Sequence, residues 1–299
     1  MKDSQSSDYT LAVIIAEELS SSNLPKIFQR LRPEWTADRE FLVCSCTDDD
    51  QVEGVPEFVN VTIIQSHENL RIPLLWKVGI LQAKSELVAL TTAHCVPAEN
   101  WLEKLRAYSL DDNLVAVGGA ICNRAEDQAI GKAIYVQRYN RFTPDRPEGF
   151  VDDVAADNAL YRRQDILAHS DLLDQGFWEP SFHQRFVREG KTLYFDNSLL
   201  VIHENCYGAG EFMSQRFAHG KEFGTERAAN ISAIRTLILL ILSPLIPLIF
   251  LSKIVRQPGI ARQLTYGFSA QAGWLLVFVV CWVAGEAMGY ASKLFRPRR

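Results

Sequence analysis

Short β-branched apolar runs alternate with one-sided apolar stretches along the first 120 residues. Leu11-Ala-Val-Ile-Ile-Ala16 reads as a buried strand, because an unbroken apolar run of this length leaves neither face for water. Ser20 to Asn23 and Pro25 then set up a helix start, and Ile27, Phe28 and Leu31 give that helix one apolar side. Phe41 to Cys46 forms a second strand, which ends in the acidic turn Thr47-Asp-Asp-Asp50, and Val61 to Ile64 forms a third. The pattern goes on with a helix over 74–84, a strand over 87–90, a helix over 101–108 and a strand over 114–117 before Gly118-Gly119. Such alternation implies an α/β fold with a mostly parallel sheet covered by helices. Ligands of these sheets sit beyond the carboxyl ends of the strands.

After Gly119 the alternation weakens, leaving a helix from about Pro180 to Glu189 and a strand pair, 192–195 and 199–203. Near residue 231 the character changes altogether. Residues 236–252 carry no charge, and neither do residues 264–285, which hold two Trp and two Phe. About 17 to 25 apolar residues cross a bilayer as a helix. The pattern therefore predicts a hydrophilic domain over 1–230 and a membrane segment over 231–299, with helices at about 236–252 and 264–289. Pro244 and Pro247 each remove a backbone donor, so the first helix is expected to be kinked, re-entrant or in-plane. Lys253, Arg256 and Arg262 lie between the runs, and Lys293, Arg296, Arg298 and Arg299 follow the second. The positive-inside rule draws both groups to the cytoplasm, which a shallow first segment allows.

The first eight residues have no apolar core behind a basic start, so no signal peptide is expected and the main domain should stay at the cytoplasmic face of the inner membrane. Six cysteines (Cys44, Cys46, Cys95, Cys122, Cys206, Cys281) lack Cys-x-x-Cys spacing and read as small apolar residues of a reduced compartment. A net charge of −5 offers no basic patch for nucleic acid.

Four segments carry candidate chemistry. They are Trp76-Lys-Val-Gly-Ile-Leu-Gln-Ala-Lys-Ser-Glu86, Leu90-Thr-Thr-Ala-His-Cys-Val-Pro97, Asp157-Asn-Ala-Leu-Tyr-Arg-Arg163 and Gly176-Phe-Trp-Glu-Pro-Ser-Phe-His183. In that order they resemble a family 2 glycosyltransferase of GT-A fold, over roughly residues 9 to 225. The resemblance implies a nucleotide-sugar donor, a lipid-linked or polysaccharide acceptor and an inverting transfer. It further implies that Glu179 is the catalytic base, that Asp48, Asp49, Thr92 and His94 meet the donor, and that Asp157, Asn158 and Trp178 lie near the acceptor. Arg216 and His219, in a Gln-Arg-Phe stretch before the membrane runs, would meet diphosphate or lipid phosphate.

The family holds a divalent cation, Mn²⁺ or Mg²⁺, on an Asp-x-Asp triplet, where this chain has Thr92-Ala93-His94. A hard cation loses its oxygen anions there. Three outcomes stand open: a softer ion on His94 and His203, transfer without metal using Arg and Lys, or loss of catalysis. The last would leave a sugar-nucleotide-binding or scaffold member of a polysaccharide assembly complex.

Overall fold

The apolar runs predicted as strands form the parallel half of one sheet. β1 (Leu11–Glu17), β2 (Arg39–Ser45), β3 (Val61–Gln65) and β4 (Leu87–Thr92) lie in the order β3-β2-β1-β4 with every pair parallel. β1 and β2 are buried at every position, as strands covered on both faces must be. The crossovers run through α1 (Leu24–Leu31) and α2 (Ile72–Gln82). Here α2 presses so closely on β1 that a Cβ at Gly79 would stand 2.3 Å from Ile14 Cγ2. The computed structural model describes residues 9–18, 23–46, 61–66, 68, 70–124, 128–205, 207–229, 231–256 and 268–295.

Beyond β4 the sheet becomes mixed. β8 (Asn158–Arg162) inserts antiparallel between β4 and β6 (Leu114–Asn123), and β6 runs parallel to β9 (Thr192–His203). The short strands β5 (Cys95–Pro97) and β7 (Gly149–Val151) flank β9, both antiparallel to it. The helices α3 (Trp101–Arg106), α5 (Arg163–Leu167), α6 (Ser170–Leu173) and α7 (Glu179–Arg188) complete this part. A strand was expected to stop at Gly118, yet β6 runs on to Asn123. The two strands expected over 192–203 are a single strand. Its register against β6 breaks between Asp196 and Leu200, opposite Gly119 and Ala120, so residues 197–199 bulge.

By internal contacts the chain forms two compact units, Met1–Arg124 with Phe142–Cys206, and Ala125–Arg141 with Tyr207–Arg299. The sheet occupies the first. The second contains α4 (Ala129–Tyr139), α8 (Ala209–Ala229), α9 (Ala233–Leu242), α10 (Ile246–Val255) and α11 (Phe268–Phe295). A single 3₁₀ turn, Ser243–Leu245, separates α9 from α10 and contains Pro244. The interruption expected from the prolines is thus one turn long. Two apolar stretches, Ala233–Lys253 and Ala270–Phe295, are long enough to cross a membrane. At 1.5 Å per residue the first spans about 32 Å, against a hydrocarbon core of roughly 30 Å.

In the second unit α8 and α11 meet at their backbones. A Cβ at Gly220 would stand 2.1 Å from Trp282 O and one at Gly224 2.3 Å from Glu286 O. In return, a Cβ at Gly285 would stand 1.9 Å from Phe217 O and one at Gly289 2.5 Å from Lys221 O. Each helix carries its glycines four residues apart, which puts them on one face. The same contact holds Glu286, 4% exposed, beside Tyr290 and Arg227; its carboxylate accepts from Tyr290 and lies 3.5 Å from Arg227 Nη1. Glu286 is thus a buried partner of an arginine.

Candidate functional site

In the order β3-β2-β1-β4 the direction of winding reverses between β1 and β4, which opens a crevice beyond their carboxyl ends. The chain leaves β4 at that point, turns through Ala93 and His94, and enters β5. The turn is strapped down: Ala93 N donates to Ala16 O at 2.9 Å, and Asn23 N, before α1, donates to Ala93 O at 3.1 Å.

Polar groups gather at this buried strand end. Thr92 Oγ1 donates to Asp157 Oδ1 at 2.9 Å and lies 3.0 Å from His94 Nε2. His94 Nε2 is 3.3 Å from the same Asp157 Oδ1, and Cys95 Sγ is 3.9 Å from it. Thr91 Oγ1 donates to the Asp157 carbonyl at 2.9 Å. Asp157 reaches these partners because it immediately precedes β8, whose antiparallel pairing sets Asn158 opposite Thr91. His203 ends β9 opposite Cys95, and its ring meets His94 edge-on with centroids 5.6 Å apart. His94, Cys95, Asp157 and His203 are all at most 6% exposed.

Glu179 opens α7 with its side chain partly buried, and its Oε1 accepts from Ala156 N at 2.9 Å. Its carboxylate is thereby fastened one residue from Asp157. Trp178, also partly buried, donates from Nε1 to Gln175 O at 3.0 Å. Asn158 is fully buried: Nδ2 donates to Ala120 O at 2.9 Å and to Leu199 O at 3.0 Å, while Oδ1 accepts from Trp101 Nε1 at 2.7 Å. With its amide committed to β6, β9 and α3, Asn158 positions Asp157.

Two features were not read from sequence. Cys95 was taken as a small apolar residue, yet its sulfur faces Asp157; the available signal was its place directly after His94. The other is a buried chain in which Asp153 Oδ1 lies 2.8 Å from His183 Nδ1, and His183 Nε2 lies 3.0 Å from Tyr161 OH. Burial, helped by the carboxylates of Glu179, Asp153 and Asp157, holds the Tyr161 phenol well above its usual range, so it stays protonated.

Arg216 and His219 belong to the second unit. Arg216 Nη2 lies 3.1 Å from His219 Nδ1 and donates to Gln215 Oε1 at 2.9 Å, with the guanidinium over the rings of Phe212 and Trp282. Asp48 and Asp49 lie outside the described residues.

His94, Cys95 and Asp157 are close enough to hold a metal ion, with one ligand atom from each all within 4.8 Å of one another. The donor set does not fit Mg²⁺ or Mn²⁺. Those ions take oxygen shells built on carboxylates, and here one carboxylate stands among an imidazole, a thiol and a hydroxyl.

Residues 10–168 match the family model described as Glycosyl transferase family 2. No curated protein matches the sequence. Similar solved structures include the mannosyltransferase PcManGT from Pyrobaculum calidifontis in complex with GDP-Man and Mn²⁺, 12% identical, with a TM-score of 0.45 over 96% of this chain and 76% of that one. A mycobacterial protein is 11% identical, TM-score 0.44, over 71% of this chain and 73% of its own. GalNAc-T7 with UDP, GalNAc and Mn²⁺ is 13% identical, TM-score 0.47, over 65% of this chain and 44% of its own.

Proposed function

The chain belongs to glycosyl transferase family 2, and on that premise we propose that it moves a sugar from a nucleotide-sugar donor to a lipid-linked or polysaccharide acceptor with inversion. The observation that carries this reading is the Thr92–His94–Asp157 cluster at the β1/β4 crevice, with Glu179 fastened beside it. The crevice is where an open α/β sheet takes a nucleotide. Thr92 and His94 face the donor diphosphate. The family resemblance assigns Asp48 and Asp49, which follow β2 in sequence, to donor binding.

Glu179 is the base. Its carboxylate takes the proton of the acceptor hydroxyl while that oxygen bonds to the anomeric carbon. The bond from that carbon to the diphosphate oxygen breaks, and its electron pair leaves with the diphosphate. The hydrogen bond from Ala156 N keeps the carboxylate oriented, which lowers the entropy cost of reaching the transition state. Trp178 offers a ring for the acceptor sugar, and Asp157 orients Thr92 and His94.

Membrane anchoring rests on the second unit. Ile234, Leu237, Ile241, Leu248 and Ile249 are exposed apolar side chains on the first apolar stretch, an arrangement that acyl chains satisfy and water does not. Lys293, Arg296, Arg298 and Arg299 close the second stretch and, with two crossings, fall on the side of residues 1–230, which supports a cytoplasmic catalytic side at the inner membrane; Lys253, Arg256 and Arg262 between the stretches weigh against it unless the first stretch lies shallow. Arg216 and His219 suit the phosphate of a lipid-linked acceptor.

Purified full-length chain, given a panel of nucleotide sugars and a polyprenyl-phosphate acceptor in detergent, releases nucleoside diphosphate with one of them. Saturable donor binding without turnover by any pairing would replace transfer with the scaffold role.

A further inference from the structure

We propose that His94, Cys95 and Asp157 form a site for a thiophilic divalent cation of the Zn²⁺ class, in place of an oxygen-bound Mg²⁺ or Mn²⁺. The separations support it. A tetrahedral Zn²⁺ with bonds of about 2.0 Å to nitrogen and oxygen sets those atoms roughly 3.3 Å apart. His94 Nε2 and Asp157 Oδ1 are 3.3 Å apart. With a Zn–S bond of about 2.3 Å the sulfur belongs roughly 3.5 Å from the oxygen. Cys95 Sγ is at 3.9 Å, within a small rotation of its side chain.

The softness of the donors decides between cations. Thiolate and imidazole select Zn²⁺ and Co²⁺ over Mg²⁺ and Mn²⁺. Burial adds to that preference, because a cation held by a thiolate and a carboxylate enters the crevice with its charge already balanced, and the Cys95 and Asp157 side chains need no water shell. On binding, the Cys95 thiol gives its proton to solvent, His94 coordinates as neutral imidazole through Nε2, and Thr92 Oγ1 keeps its hydrogen bond to the Asp157 carboxylate.

Three protein ligands leave a fourth tetrahedral position open. In the donor reading given above, on which this part rests, that position meets a diphosphate oxygen. The site would then be a substitute for the two missing acids, with a metal of different chemistry.

The experiment titrates metal-stripped full-length chain in detergent with Co²⁺. One equivalent is expected to bind and give the near-ultraviolet thiolate-to-Co²⁺ charge-transfer band. Cys95→Ser loses the band, whereas the Cys44→Ser, Cys46→Ser double variant keeps it. Zn²⁺ abolishes the Co²⁺ spectrum and a large excess of Mg²⁺ or Mn²⁺ does not. Should Cys95→Ser fail to fold, X-ray absorption at the zinc edge of the intact Zn²⁺-loaded chain reads the ligands directly, with one sulfur at about 2.3 Å expected. Absence of binding, a Co²⁺ spectrum without the thiolate band, or displacement by Mn²⁺ overturns the site. Donor binding and nucleoside diphosphate release are measured in parallel. Metal bound through Cys95 without sugar transfer sustains the site and sinks the transfer reading; transfer undiminished in a chain shown to bind no Co²⁺ does the reverse.

Discussion

The amide of Ala156 donates to the carboxylate of Glu179 at 2.9 Å, tying the start of α7 to the residue before Asp157. The proposed base and the donor-side cluster are therefore neighbours through one peptide, although 22 positions separate Glu179 from Asp157 in sequence.

Glu179→Gln separates the chemical role of that carboxylate from its structural one. The amide oxygen still accepts from Ala156, so fold and donor affinity hold. With no base, kcat falls by roughly 100-fold or more. Steady-state kinetics with a donor-binding isotherm check this, and a variant with full turnover removes Glu179 from the mechanism.

Asn158→Ala leaves Trp101 Nε1 and the carbonyls of Ala120 and Leu199 without their buried partner. The expected loss is on the order of 3 kcal/mol, from several orphaned polar groups with a cavity beside them. Gly119→Ala should act on the same spot, since its Cβ would stand 2.1 Å from Leu199 O. Chemical denaturation of both variants measures the cost.

In the second unit, Gly285→Leu forces α8 and α11 apart, because even a Cβ there would stand 1.9 Å from Phe217 O. Gly273→Ala is the control: it sits in α11 with nothing within 4 Å, and replacing a helical glycine gains up to about 1 kcal/mol. Melting in detergent should fall for the first variant and hold or rise for the second.

Asp38 supplies a pH dependence. The hydroxyls of Thr10 and Thr36 donate to its carboxylate and hold its pKa at about 2, below the ordinary value of about 3.9. A depressed carboxylate stabilises the fold above its unfolded pKa, and that contribution is lost as pH falls through the folded one. Asp38→Asn should thus lower the melting temperature at pH 7, and the gap to the unmodified chain should narrow between about pH 4 and pH 2. A constant gap across that range would assign the effect to packing.

The sequence was most informative where burial is complete. β1, β2 and β4 showed as apolar runs, and α1 showed through Ile27, Phe28 and Leu31. β8 did not show as a strand, because three apolar residues between Asn158 and Arg162 carry no usable period. Its antiparallel insertion is what moves Asp157, expected near the acceptor, into contact with Thr92 and His94. Tertiary pairing of that kind is absent from local pattern. The close approach of α8 and α11 was written in the sequence as Gly220 with Gly224 and Gly285 with Gly289, a spacing that apolar periodicity passes over.

The bulge at residues 197–199 has a further meaning for how this site can change. Strand residues alternate sides, so everything after the bulge takes its facing from the number of residues inside it. His203 stands opposite Cys95 because that number is three. Deleting Ser198 while the bulge keeps three residues would leave the upstream pairing of β9 intact and bring Glu204 opposite Cys95 in place of His203. Loop length at a remote point thus selects which side chain the crevice presents, and a single-codon deletion would exchange an imidazole for a carboxylate without touching either histidine.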